Sequence, residues 1–192
     1  MKRSTIFSTP LLNSVLTVLS KVILRLIGWR IAGQLPATPK FVLVAAPHTS
    51  NWDFILMLLV LFSVRADLHW MGKDSLFPKP FAGFMRWLGG IAVNRRLASN
   101  TVEQMVAHYQ AHDDLAVIMT PEGTRSKVTT WKTGFYHIAH GAGVPIVLAY
   151  VDGANKTVGL GKLFTPSGDV EQDMAAIKVF YAGYQGIRPE LT

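Results

Sequence analysis

Short apolar runs at 41–46, 66–71, 91–94, 115–120 and 145–151 alternate with longer stretches, 50–64, 78–88, 99–112 and 134–141, that read as helices. That alternation constrains the chain more than any other feature. A strand, helix, strand rhythm folds into an α/β layer structure. A short strand over 158–164 and a helix over 170–181 complete the pattern. We expect one α/β domain with a central mixed, mostly parallel sheet flanked by helices, preceded by an N-terminal amphipathic helix. A chain of 192 residues can build one such core and is short for two.

The first thirty-five residues differ from the rest. From Leu11 to Trp29 the chain is largely apolar, and at 100° per residue Ser14, Thr17, Lys21 and Arg25 fall within about an 80° arc. No uncharged stretch here reaches the roughly 20 residues a spanning helix needs, so a helix lying in the membrane interface is preferred. Lys2 and Arg3 followed by Ile6 to Ser20 also fit a signal peptide, but Lys21 and Arg25 interrupt the region where cleavage should occur. The plainer alternative is that the helix packs on the domain, and both hold if different faces are used. Composition supports the interface: 49% of residues are hydrophobic, and 19 Lys and Arg against 12 Asp and Glu give a net charge of +7. Apolar and basic together favour an anionic membrane surface. Nucleic acid is not expected, since there is no zinc-finger spacing, RNP-like aromatic motif or long Lys/Arg cluster. The absence of cysteine excludes disulfides, thiolate metal sites and a cysteine nucleophile.

The densest chemistry lies just after the first apolar run, in His48-Thr49-Ser50-Asn51-Trp52-Asp53. On one continuous helix, five residues turn the chain through about 500° and leave the two side chains roughly 140° apart. They meet only if His48 lies in a turn after the strand and Asp53 in the first turn of the next helix. Pro47 interrupts the strand, and Thr49, Ser50 and Asn51 are all N-cap residue types placed before the apolar run 54–64. In that arrangement an ionised Asp53 accepts the proton of one imidazole nitrogen, fixes the tautomer and leaves the other nitrogen basic. The spacing is equally consistent with Asp53 capping the helix and His48 being a turn residue. Two further clusters sit at strand ends. Gly89 to Arg96 delivers the paired guanidinium groups of Arg95 and Arg96, and Pro121 to Ser126 offers an acid, a guanidinium and two hydroxyls. Ligands gather at the carboxyl ends of strands in α/β proteins, and arginine binds phosphate oxygens bidentately.

Taken in order, His-x-x-x-x-Asp, Gly-Gly-Ile-x-Val-x-Arg, Pro-Glu-Gly-Thr-Arg-Ser and Val144-Pro145-Ile146-Val147 resemble the glycerolipid acyltransferase family, over residues 48 to 147. The resemblance implies that His48 is the general base on an acceptor hydroxyl and that Asp53 orients it. It assigns Arg95, Glu122, Gly123, Thr124 and Arg125 to the acceptor's phosphate or polar head. With the N-terminal pattern, the expected division is a membrane-associating helix, 1–35, and a catalytic domain, 36–192, peripheral or monotopic on the cytoplasmic face of the membrane. The implied substrates are a lysolipid, 1-acylglycerol-3-phosphate first, and acyl-CoA or acyl carrier protein as donor, with no cofactor and no metal. Two departures stand out: Pro47 replaces a common Asn, and Asn94 replaces a common Asp. A lyso-ornithine lipid or another hydroxyl-bearing lipid remains an alternative acceptor, and a non-catalytic membrane-binding protein is the alternative from another class.

The chemistry agrees with the residues. An alcohol attacking a thioester must lose its proton as the bond forms, a task for an imidazole titrating near 6.5. Backbone N–H groups at the helix start or in the Gly123 turn are the expected oxyanion donors. No Gly-x-Ser-x-Gly elbow is present, so direct transfer is expected; Ser50 is assigned to a helix cap and Ser126 to its turn. His108 and His112 are spaced for zinc but lack an intervening Glu, and are assigned to a helix surface. His137 and His140 are expected to be structural. Lys132 is a further cation available to an anionic ligand.

Overall fold

The computed structural model describes residues 5–94 and 98–192. In the strand Lys40–Ala46 (β2), Val42, Val44 and Ala46 turn to one face and Phe41 and Leu43 to the other, and all five are buried. A strand buried on both faces is what a continuous apolar run encodes. The other strands are Arg30–Gly33 (β1), His69–Lys73 (β3), Gly90–Val93 (β4), Leu115–Met119 (β5), Ile146–Asp152 (β6) and Thr157–Phe164 (β7). They form one seven-stranded sheet in the order β1-β7-β6-β2-β5-β3-β4. Five neighbours, β6 to β4, run parallel; β7 pairs antiparallel with β6, and β1 pairs parallel with β7.

Helices cover both faces. Pro10–Leu26 (α1) and Trp52–Ser63 (α2) pack with Phe41, Leu43 and Ala116, while Ala98–Gln110 (α4), Gly134–Ala142 (α5) and Val170–Tyr181 (α6) enclose Val42, Val44 and Val117. The short helix Ala82–Trp87 (α3) precedes β4. This is the α/β architecture with a mostly parallel mixed sheet that the alternation predicts.

Boundaries differ from the sequence reading where local chemistry intervenes. Within 1–35, the helix stops at Leu26 and residues 30–33 join the sheet as β1. The helix closes there because the Gly28 and Trp29 N–H groups bond back to the Arg25 and Leu24 carbonyls. Strand β3 starts at His69, three residues later than expected. The Arg65 and Ala66 N–H groups are consumed in bonding the Phe62 and Leu61 carbonyls at the end of α2. Helix α3 starts after Pro78 and Pro80, which cannot donate to a helical ladder.

Helix α1 is turned opposite to an ordinary amphipathic helix. Thr17, Ser20 and Leu24 are buried, and the Thr17 hydroxyl donates to the Phe62 carbonyl of α2 at 3.0 Å. Leu11, Val15, Val18, Leu19, Val22 and Leu26 are exposed, Leu11 at 86% and Leu26 at 80%. At 100° per residue this apolar stripe is centred roughly 180° from the buried side. Small polar side chains let α1 approach α2, and the hydrophobic face is left pointing away from the protein.

Candidate active site

Parallel pairing of β2 with β5, with Val44 opposite Met119, places the turns that follow both strands side by side at the carboxyl edge of the sheet. His48 leaves the first turn and Glu122 the second. The His48 Nδ1 lies 2.9 Å from Asp53 Oδ2, so the turn brings together the two side chains that a helix would hold apart. The same carboxylate oxygen accepts the Thr49 and Ser50 N–H groups, each at 2.8 Å. This is the reach-back of a helix N-terminus, an acid in the first turn satisfying donors that precede the helix. Asp53 is 8% exposed, and its Oδ1 has no hydrogen-bond partner. With Nδ1–H directed at Asp53, Nε2 is the nitrogen that takes a proton.

The three cap-type residues divide their work. The Ser50 hydroxyl accepts the Trp52 N–H at 3.2 Å from the position before the Asn51 N-cap, so it serves the first N–H of α2 from outside the cap. The Asn51 side chain instead accepts a hydrogen bond from Arg125 Nη1, tying the Pro121–Ser126 turn to the helix start. Thr49 is buried, and its hydroxyl accepts the Arg188 N–H at 3.0 Å.

Glu122 lies behind the site. Its Oε1 accepts the His48 backbone N–H at 3.1 Å, Oε2 has no hydrogen-bond partner, and the side chain is 8% exposed. Burial pushes the carboxyl up from its usual value near 4.5, against hydrogen bonds from its own and the His48 N–H and the attraction of His48. An acid whose pKa is raised by folding is held protonated by the folded chain after the unfolded chain has released its proton. Stability from this group is therefore complete below the unfolded value and lost as pH rises through the folded one. Glu122→Gln keeps an acceptor for His48 N–H and removes the titration. Denaturant unfolding of both proteins between pH 4 and 8 is expected to show the variant gaining on the native chain as pH rises; a constant difference excludes the titration.

A cavity of about 1530 Å³ opens at His48 and Asp53. Asn51, Gly123, Arg125, Lys132 and His137 stand on its polar side. Its apolar wall runs between the sheet and α2, through Leu43, Ala45, Leu56, Met57 and Val60. Gly123 has φ +63°, and a Cβ there would lie 2.7 Å from Lys132 Nζ, so the lysine's head occupies the space a side chain would fill. Sequence reasoning weighed Lys132 only as an accessory, and the signal that finds it is the glycine. Thr124 is exposed, does not line the cavity, and accepts the Ser126 N–H at 3.3 Å within its own turn. Arg95 lies outside the described residues. Of the expected oxyanion donors, the N–H groups of Thr49, Ser50, Trp52 and Gly123 already bond protein acceptors. Arg125 and Lys132 are the cationic donors on the cavity wall. Among the described residues, no three His, Cys, Asp or Glu side chains gather as metal ligands. His112 Nδ1 lies 2.8 Å from the His108 carbonyl on the surface of α4.

Over 125 residues the chain is 34% identical to the 1-acyl-sn-glycerol-3-phosphate acyltransferase of Salmonella typhimurium, covering 62% of this chain and 49% of that protein. Over 147 residues it is 29% identical to the Haemophilus influenzae protein of the same name, covering 71% and 60%. The chain spans about half the length of the curated relatives it matches. The fold is shared with the crystal structure of the 1-acyl-sn-glycerophosphate (LPA) acyltransferase PlsC from Thermotoga maritima, at TM-score 0.60 and 17% identity over 91% of this chain and 81% of that one. The Acyltransferase family model matches residues 30–151, from β1 into β6 and across both turns that carry His48 and Glu122. By that match the chain belongs to the Acyltransferase family.

Proposed function

We propose that the chain is an O-acyltransferase that moves a fatty acyl group from acyl-CoA or acyl carrier protein to the free hydroxyl of a lysolipid, 1-acylglycerol-3-phosphate foremost. The observation that carries this reading is the His48–Asp53 pair at 2.9 Å, set at the mouth of a cavity with an apolar wall and cationic Arg125 and Lys132. His48 Nε2 takes the hydroxyl proton as the alkoxyl oxygen bonds to the thioester carbonyl carbon. The C–S bond then breaks, and the departing thiolate takes the proton back from the imidazolium. Asp53 holds the tautomer and stabilises the transient positive charge. Arg125, with Arg95 from the Gly-Gly-Ile-x-Val-x-Arg motif, binds the acceptor's phosphate. Relatives named for 1-acyl-sn-glycerol-3-phosphate support this acceptor. The experiment is a panel of lysolipids with acyl-CoA and acyl carrier protein donors, read by mass spectrometry. Acylation of 1-acylglycerol-3-phosphate is expected; transfer only to a lyso-ornithine lipid, or to none, overturns the assignment.

In this proposal helix α1, within residues 1–35, holds the chain on the membrane, and the sheet domain, which takes in β1 as well as residues 36–192, carries catalysis at the cytoplasmic face where acyl thioesters are available. Among the described residues, no helix is long and apolar enough to cross a membrane. The outward stripe of α1 is instead suited to lie in the interface, with Lys21 and Arg25 exposed along one flank for anionic headgroups. Replacing Val18 and Val22 by Glu is expected to weaken binding to anionic vesicles by about 10²-fold or more, given about 1.5–3 kcal/mol per buried aliphatic side chain. Flotation with phosphatidylglycerol vesicles measures it, and undiminished binding by a folded variant rejects α1 as the contact.

A further inference from the structure

We propose that the C-terminal segment Gly186–Arg188 clasps the catalytic turn through Thr49, which makes Thr49 a positioning residue for His48 and Asp53. The inference rests on the assignment of those two residues as the catalytic pair, and it concerns a part of the chain beyond the family match, which ends at residue 151. Thr49 sits between the two candidate catalytic groups in every respect that matters. It follows His48 in sequence, its N–H bonds the Asp53 oxygen that faces the imidazole, and its side chain is 2% exposed.

Two contacts pin that side chain from the far end of the chain. The Thr49 hydroxyl accepts the Arg188 N–H at 3.0 Å. Gly186 is pressed against it so closely that a Cβ there would stand 2.4 Å from Thr49 Oγ1 and 2.6 Å from Cγ2. A short, β-branched, buried side chain has no rotamer into which it retreats cheaply. The clasp is itself anchored. Gly153, just after β6, donates its N–H to the Gln185 carbonyl at 2.7 Å, and the Thr192 hydroxyl accepts the Gly186 N–H at 3.0 Å. The Tyr184 ring stacks on Tyr150 at 3.7 Å between centroids. The tail is therefore fixed to the sheet on one side and to the catalytic turn on the other. A methyl group at 186 displaces Thr49, and with it one of the N–H groups that hold the Asp53 carboxylate in line with His48.

The test uses the full chain, with kcat and KM for acyl-CoA and 1-acylglycerol-3-phosphate, thermal melting, and proton NMR of the His48 Nδ1–H, assigned by its loss in His48→Ala. Gly186→Ala is expected to lower kcat by about tenfold or more, since small displacements of a reacting group carry penalties of that order, with KM within about twofold. The Nδ1–H resonance moves or broadens with it. Thr49→Val, which keeps the shape and removes the acceptor, moves both readouts the same way. The double variant Thr49→Ala with Gly186→Ala is expected to lose clearly less than the two single losses combined, because the two closest atoms the new methyl strikes, Oγ1 and Cγ2, are gone and only Thr49 Cβ, 3.0 Å away, remains. A folded Gly186→Ala protein with native kcat and an unmoved resonance overturns the clasp, as do additive losses in the double variant. If Gly186→Ala does not fold, Thr49→Val decides by the same two readouts. If the native chain turns over none of these substrates, the resonance alone decides, so failure of the acyltransferase assignment stays distinct from failure of the clasp.

Discussion

His48→Ala is expected to reduce acyl transfer by about 10²–10⁴-fold, the range spanned by loss of a positioned general base, while leaving the fold intact. The expected size follows from the reaction. An acceptor alcohol is almost wholly protonated at neutral pH, and among the described residues His48 is the imidazole held against a carboxylate in this cavity. His137 and Lys132 line the same space, but among the described residues neither is ion-paired to a carboxylate. The fold should survive because the His48 side chain is 23% exposed and lies at the mouth of the cavity, not in either apolar core. The backbone bond from His48 N–H to Glu122 does not depend on the imidazole, and Asp53 keeps both of its backbone donors. Mass-spectrometric turnover with circular-dichroism melting checks the two halves together. Full turnover by a folded His48→Ala protein removes the general-base assignment.

The pair on which this rests was legible in the sequence because its geometry is local. Pro47 ends the strand, Asn51 is the N-cap of α2, and Asp53 falls in its first turn, so five residues suffice to close the hydrogen bond. The sheet was legible for a similar reason: runs such as 41–46 and 145–151 are apolar on both faces, as buried strands require. What was not legible depends on contacts between distant segments. Glu122 was assigned to the acceptor's head by resemblance, yet it is buried against the His48 N–H and does not line the cavity. Spacing within one turn cannot reveal which neighbouring turn a carboxylate will meet. Thr124 faces its own loop for the same reason. The orientation of α1 also escaped, since a helical wheel displays an apolar stripe without saying whether protein or solvent lies beneath it. The burial of Thr17, Ser20 and Leu24, with the bond from Thr17 to Phe62, decides that this side faces inward. The contact of Gly186 with Thr49 spans most of the chain and has no local signature at all.

Asp53 separates orientation from charge, because two substitutions there are expected to differ in stability while both lose activity. One oxygen of Asp53 faces His48 Nδ1 and two backbone N–H groups. Asp53→Ala strips all three donors of their acceptor in a turn where Thr49 and Ser50 are buried. Each buried donor left unsatisfied costs about 1–3 kcal/mol, so unfolding midpoints should drop markedly and lost activity will partly report a disordered turn. Asp53→Asn can place its amide oxygen where Oδ2 now lies and its NH₂ where Oδ1 lies, a position without a partner. The three donors are then still served, and one new buried donor is unsatisfied, so the stability loss is expected to be smaller than for alanine. Charge is what the asparagine lacks. In the proposed transfer His48 becomes an imidazolium, and the carboxylate 2.9 Å away is its counter-ion. Without it, proton abstraction forms an uncompensated cation inside the cavity, and kcat is expected to fall by about 10²–10⁴-fold even in a well-folded protein. Comparing kcat and denaturant midpoints for the two variants makes the division explicit. Near-native turnover by Asp53→Asn shows that the carboxylate only fixes the turn, and equal destabilisation by both substitutions shows that the amide does not take over the backbone bonds.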